Sequence, residues 1–235
     1  MKKTQSEAEK EILKIFGTDS VFFAGDDINM DKVEHIKTGS PSLDEALGIG
    51  GIPRGRIIQL AGKESSGKTM LALSCIRNYL NENPENTALF IDAEYTYDPD
   101  WASGLGVDTS RVMVIKTNEA KKIFNGLIGI PNPNSRTGNK KVKGILDFVK
   151  DGKDPRFSNL GIIVLDSVAV LSTPQEEDSE AGKMNIASLA RFLTSELKKL
   201  TPVLADTNVT FIGINQVRET IGVMYGPSTS SPGGR

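Results

Sequence analysis

The chain has 235 residues, with 28 basic and 30 acidic side chains and a formal net charge of −2. An apolar content of 38% alongside 23 glycines excludes global disorder and collagen-like or low-complexity sequence, and a single cysteine, Cys75, excludes an internal disulfide framework. No apolar run approaches the ~20 residues that span a bilayer, and the opening residues lack the apolar core of a secretory signal, so a cytoplasmic protein with no membrane contact is expected.

In chain order, Ser6 to Phe16 predicts an amphipathic helix, with Ile12, Leu13, Ile15 and Phe16 on one side and Glu7, Glu9, Lys10, Glu11 and Lys14 facing out. Gly17 and Thr18 stop it, and Val21-Phe22-Phe23 reads as a short strand before a turn at Gly25-Asp26-Asp27. This arm, residues 1–33, is too small for its own core, so its apolar face must cover the main body or another molecule. From about residue 34 short apolar runs alternate with helical stretches. The runs are 57–61, 88–91, 112–115, 161–165 and 209–214, each nearly continuous and rich in β-branched residues. That is the pattern of strands buried on both faces of a parallel sheet. Helices are expected over 68–81 and 187–200, and over parts of 119–129 and 141–151. The alternation predicts an α/β fold with a parallel sheet. Residues 130–160 break the rhythm with Pro131, Pro133, three asparagines and then Lys140, Lys141 and Lys143. They read as a surface insertion, a solvated loop in preference to a functional basic patch.

Gly62-Lys63-Glu64-Ser65-Ser66-Gly67-Lys68-Thr69, followed by Met70, fits the phosphate-loop pattern G-x-x-x-x-G-K-[ST]. A buried strand enters it and a helix leaves it, which is the context the chemistry needs. The glycines let successive backbone N–H groups turn toward phosphate oxygens, and the helix N-terminus adds free donors. Lys68 is expected to neutralise the β/γ-phosphates of ATP, and the Thr69 hydroxyl to ligate Mg²⁺. Asp166 ends the apolar run 162–165 and is expected beside the metal. A further acid sits at the end of 88–91, where a carboxylate beside the γ-phosphate would activate water. Spacing does not choose between Asp92 and Glu94.

Taken in order, these blocks resemble the bacterial RecA recombinase family. Residues 37–56 are similar to the family's lead-in to its phosphate loop, and Phe90-Ile91-Asp92-Ala93-Glu94 with Asp98-Pro99 to its second block. Val164-Leu165-Asp166-Ser167-Val168-Ala169 is similar to its second nucleotide motif. Ile214-Asn215-Gln216-Val217-Arg218, then 221–226 and Gly233-Gly234, are similar to its second DNA-binding loop. The resemblance implies a RecA-type P-loop NTPase core over 34–235, with a mainly parallel sheet flanked by helices, and an N-terminal arm that packs on a neighbouring protomer in a helical filament. It implies that Glu94 is the water-activating carboxylate, that Asp98 and Trp101 lie at the adenine, and that Gln216 senses the γ-phosphate. It also implies single-stranded and double-stranded DNA as partners, through loops at about 172–186 and 217–235. In the first, Met184 and the nearby Arg191 are the candidates; in the second, Arg218 for a phosphate, Ile221 as a wedge between bases, and Gly222, Gly233 and Gly234 for close backbone approach.

The chain departs from the family pattern at four places. Lys63 stands where the family carries proline, Glu219 adds a negative charge beside Arg218, and the 130–160 insertion has no counterpart. The sequence also ends at Arg235, inside the second DNA loop, so weak activity or stability of this chain alone is expected. The leading reading is an ATP-dependent DNA recombinase. The alternatives are an ATP-binding regulatory paralogue or fragment, and a ring-forming helicase or clock-type ATPase on the same fold.

Overall fold

Five aliphatic runs build the centre of the molecule, because strands covered by helices on both faces have no position left for polar side chains. In the computed structural model, which describes residues 7–16, 33–131, 141–173, 186–219 and 229–230, the chain divides into two units, Met1–Glu34 and His35–Arg235. In the first, α1 (Glu7–Phe16) is the amphipathic helix that its periodicity predicts, with Ile12 and Ile15 exposed. The strand predicted at 21–23 lies outside the described residues.

The second unit starts with β1 (His35–Ile36), α2 (Pro41–Ala46) and β2 (Ile52–Pro53), where β1 and β2 pair antiparallel. The nucleus follows as β3 (Ile57–Gly62), α3 (Lys68–Glu82), β4 (Thr87–Asp92), α4 (Pro99–Gly104), β5 (Val112–Lys116) and α5 (Ala120–Ile128). Next come a hairpin of β6 (Gly129–Pro131) and β7 (Lys141–Lys143), then α6 (Ile145–Asp151) and α7 (Pro155–Ser158). The described residues close with β8 (Leu160–Asp166), α8 (Ile186–Thr207), β9 (Thr210–Gln216), and the short antiparallel pair β10 (Arg218–Glu219) and β11 (Thr229–Ser230). The central sheet has five parallel strands in the order β3-β9-β8-β4-β5.

Side chains alternate between two cores, as a period of two requires. Leu89, Ile91, Ile163, Leu165 and Phe211 face α5, α6 and α8, whereas Ala88, Phe90, Ile162, Val164, Ile212 and Ile214 face α3. Every residue of β8 is buried. The edge strands β3 and β5 carry the same aliphatic signature but are only partly buried, a correction to the expectation that all five are covered on both sides. Cys75 belongs to the α3 core, where burial pushes its thiol up to about 12, so it serves packing and is no nucleophile. Among the described residues no helix is long and apolar enough to cross a membrane.

Two other expectations change. The helix predicted to stop at Leu200 runs on through Pro202 to Thr207. Leu200 and Leu204 are fully buried on its inner side, and that packing outweighs the hydrogen bond that proline removes. The 130–160 segment is also more than a solvated loop. Residues 132–140 lie outside the described residues, but α6 places Leu146 at 0% exposure inside the core, with Ile145 and Val149 against it. Three of its lysines form ion pairs: Lys141 with Asp147 at 2.7 Å, Lys143 with Asp151, and Lys150 with Asp206 of α8 at 2.5 Å. We expect Leu146→Ala to lower the stability by about 2–5 kcal/mol in urea denaturation; a loss within error would mean that α6 rides on the core without belonging to it.

Candidate functional site

Parallel pairing sends the carboxyl ends of the central strands to one edge of the sheet, where open α/β folds bind their ligands. Register sets the neighbours there: Gly62 lies opposite Gln216, Asp92 opposite Asp166, and Lys116 opposite Asp92. The amide of Val217 donates to the Gly62 carbonyl at 3.1 Å, which ties the end of β9 to the start of the loop that follows β3.

That loop, 62–69, has the backbone its composition demands. Gly67 caps α3 in the left-handed region at φ 83°, and Ser65 is also left-handed at φ 56°. A Cβ on Gly62 would come within 2.7 Å of Ser66 Oγ, so a larger residue there would have to displace that hydroxyl. No side chain caps α3, which leaves its first N–H groups to a ligand, and an anion is the ligand a helix N-terminus favours. Glu64, Ser65 and Ser66 are exposed on the loop, and Met70 is exposed in the first turn of α3. The Lys68 ammonium donates to the carbonyls of Lys63 and Gly62 at 2.6 and 3.1 Å, so its charge is folded over the mouth of the loop.

Three carboxylates crowd the same edge, each with its own partner. Asp166 accepts from the Thr69 hydroxyl at 2.7 Å. Burial holds its carboxyl above the usual range; the Thr69 bond acts in the opposite direction, and the charges of Glu94 and Asp92 reinforce the rise. Asp92, at 0% exposure, accepts the amides of Thr96 and Tyr97, one on each oxygen, both at 3.0 Å. Glu94 is only half-buried and accepts from the Ser167 hydroxyl. The sequence left Asp92 and Glu94 open as alternatives, and the loop amides separate them: Asp92 has both oxygens engaged in pinning the turn, while Glu94 reaches the surface.

Asp98 and Trp101 lie at the start of α4, on the loop that leaves this edge. Asp98 Oδ1 accepts the amides of Asp100 and Trp101 at 2.8 and 3.2 Å as an N-cap, and the Trp101 ring is about half exposed. The capping role was missed in the sequence, although Asp-Pro ahead of a helix is a recognised start signal. Ser167 was quoted there only as part of a motif, with no role assigned to it. Of the DNA candidates, Arg191 is exposed on α8 and the backbone of Arg218 belongs to β10. Met184, Ile221, Gly222, Gly233 and Gly234 lie outside the described residues.

The family profile of the RecA N-terminal domain matches residues 3–128 and 152–235. The chain belongs to the RecA N-terminal domain family. The stretch between the two matched segments, 129–151, covers β6, β7 and α6 and lies largely within the 130–160 segment singled out in the sequence. A curated relative from Ruminococcus albus, named Protein RecA, is 40% identical over 234 residues, covering all of this chain and 52% of its own length. Proteins of the same name from Frankia casuarinae and Paenarthrobacter aurescens are 40% and 38% identical, with 60% and 59% of their lengths covered. The chain thus spans between half and three fifths of the length of these RecA proteins.

The buried Asp166 carboxyl gives the site a pH signature. A carboxyl held above its ordinary value of 3.8 in the folded state binds protons that the unfolded chain releases. Its contribution to stability is therefore complete below 3.8 and is lost as pH rises through the raised value. In chelator-treated protein, Asp166→Asn, which keeps an acceptor for Thr69, is expected to melt above the parent at pH 7, with an advantage that shrinks on acidification. An advantage that grows toward low pH would contradict the assigned direction.

Proposed function

We propose that this chain is the nucleotide-binding core of an ATP-dependent DNA recombinase, working in the cytoplasm. It would assemble as a helical filament on single-stranded DNA, pair that strand with homologous duplex, and hydrolyse ATP as the filament turns over. The observation that carries the reading is the convergence of the phosphate loop, the Thr69–Asp166 pair and Glu94 at one sheet edge, in a member of the RecA N-terminal domain family.

In this reading the loop amides and the α3 N-terminus bind the phosphates of ATP. Lys68 exchanges the carbonyls of Gly62 and Lys63 for the β/γ-phosphate oxygens and offsets their charge. Thr69 and Asp166 would hold Mg²⁺, since two hard oxygen donors already lie 2.7 Å apart there. Among the described residues no cluster of three or more His, Cys, Asp or Glu is arranged to hold a metal, which suits an ion that takes its remaining ligands from phosphate and water. When bound, that ion would neutralise charge developing on the β- and γ-phosphate oxygens. Glu94 orients the attacking water and takes its proton. Gln216, held opposite Gly62, reports the γ-phosphate to the chain that follows β9, where Arg218 begins the DNA-contacting segment. Asp98 and Trp101 border the adenine, and the 1–33 arm supplies a head-to-tail contact between protomers.

The test is ATP hydrolysis by this chain with and without single-stranded DNA. We expect stimulation by DNA, and a loss of about 100-fold or more in Glu94→Gln. Lys68→Ala is expected to abolish ATP-dependent filaments in negative-stain micrographs. Filaments that persist in Lys68→Ala, or turnover indifferent to Glu94→Gln, would overturn the reading. ATP binding without any turnover in the parent would favour a regulatory paralogue instead.

A further inference from the structure

Hydrolysis needs more of Glu94 than proximity. The carboxylate must face the water with one oxygen while standing near two other acids, Asp92 and Asp166, whose charges repel it. A long side chain on a loop has no intrinsic reason to hold that pose. Here the pose is held from outside. The amides of Ala93 and Glu94 both donate to the Asp166 carbonyl, at 2.8 and 3.3 Å. Asp92 clamps the far side of the same turn through Thr96 and Tyr97. Between these anchors Tyr95 takes a left-handed φ of 60°, so the turn is tight. Ser167, only 1% exposed, then donates its hydroxyl proton to Oε1 of the Glu94 carboxylate.

We propose that Ser167 is a positioning residue for ATP hydrolysis, fixing one oxygen of Glu94 so that the other is presented to the attacking water; this rests on the reading of Glu94 as the water-activating group. A hydroxyl has one proton to give, and giving it to Oε1 leaves Oε2 as the acceptor for water. The donated hydrogen bond also opposes the repulsion from Asp92 and Asp166 that would swing the carboxylate outward. The neighbouring residue is Asp166, whose side chain holds Thr69. One dipeptide, Asp166-Ser167, therefore sets the spacing between the proposed metal side of the site and its water side. A displacement of even about 1 Å between such groups is enough to slow a reaction of this kind by roughly 100-fold.

The experiment is steady-state ATPase kinetics of the whole chain with single-stranded DNA, together with binding of a non-hydrolysable ATP analogue. Ser167→Ala is expected to lower kcat by roughly 10- to 100-fold while KM for ATP, the analogue's Kd and the melting temperature stay near those of the parent. The double variant Ser167→Ala/Glu94→Gln is expected to be no slower than Glu94→Gln alone, because the serine acts only through the carboxylate. Three results would overturn the proposal: kcat unchanged in Ser167→Ala, kcat lost in step with weakened analogue binding, or full additivity in the double variant. If the parent chain shows no turnover that depends on Glu94, the underlying reading fails and the positioning role falls with it. Glu94-dependent turnover that survives Ser167→Ala removes the positioning role alone.

Discussion

Parallel pairing is the constraint on which the site depends. Because each strand is returned by a helix, every strand of the sheet ends at the same edge, and the pairing register decides which end faces which. Gly62 faces Gln216 and Asp92 faces Asp166 across these ladders. A slip of one residue would exchange the two faces of a strand and bury its polar end among leucines. The alternation of Leu89 and Ile91 with Ala88 and Phe90, and of Ile163 and Leu165 with Ile162 and Val164, makes such a slip unfavourable on both faces at once. The packing of the core and the spacing of the site are thus set by the same choice of register.

Three carboxylates at one edge would be unstable without distinct partners, and their partners are what differentiate them. Asp92 is fully buried and stays within the fold through two backbone amides. Asp166 is buried with a single hydroxyl partner, and its carboxyl is pushed up accordingly. A cation at that place would reverse the preference by favouring the charged form. Glu94 keeps partial access to solvent and accepts from the Ser167 hydroxyl. Similar chemistry at three positions therefore yields a brace, a polar anchor facing Thr69 and a partly exposed carboxylate, through burial and hydrogen bonding alone.

The strands were legible because two-sided burial forces continuous aliphatic runs, and the phosphate loop because its backbone tolerates so few residues. The edge strands β3 and β5 show the limit of that signal: they carry the aliphatic pattern with one flank open. The helix expected over 187–200 continues to Thr207 because the burial of Leu200 and Leu204 is a tertiary contact that the local pattern does not carry. Asp92 and Glu94 were indistinguishable by spacing, since what separates them is a pair of amides supplied by a turn. The contact of Ser167 with Glu94 has no sequence pattern of its own, as it spans 73 positions of chain.

The insertion shows why charge counted along a sequence differs from charge presented by a surface. Lys140, Lys141 and Lys143 form a basic run, for which a functional basic patch is the less favoured reading beside a solvated loop. Folding sets Asp147 and Asp151 of α6 against Lys141 and Lys143, and Asp206 of α8 against Lys150. Exposed pairs of this kind contribute little stability, typically about 0–1 kcal/mol each, so the cohesion comes from Leu146 beneath them. The pairs instead cancel the field that nucleic acid would feel. Because α6 spans barely two turns, a core leucine and the two aspartates that neutralise β7 are confined to one short helix, and the segment becomes a covering element in which Lys141, Lys143 and Lys150 are committed to protein carboxylates.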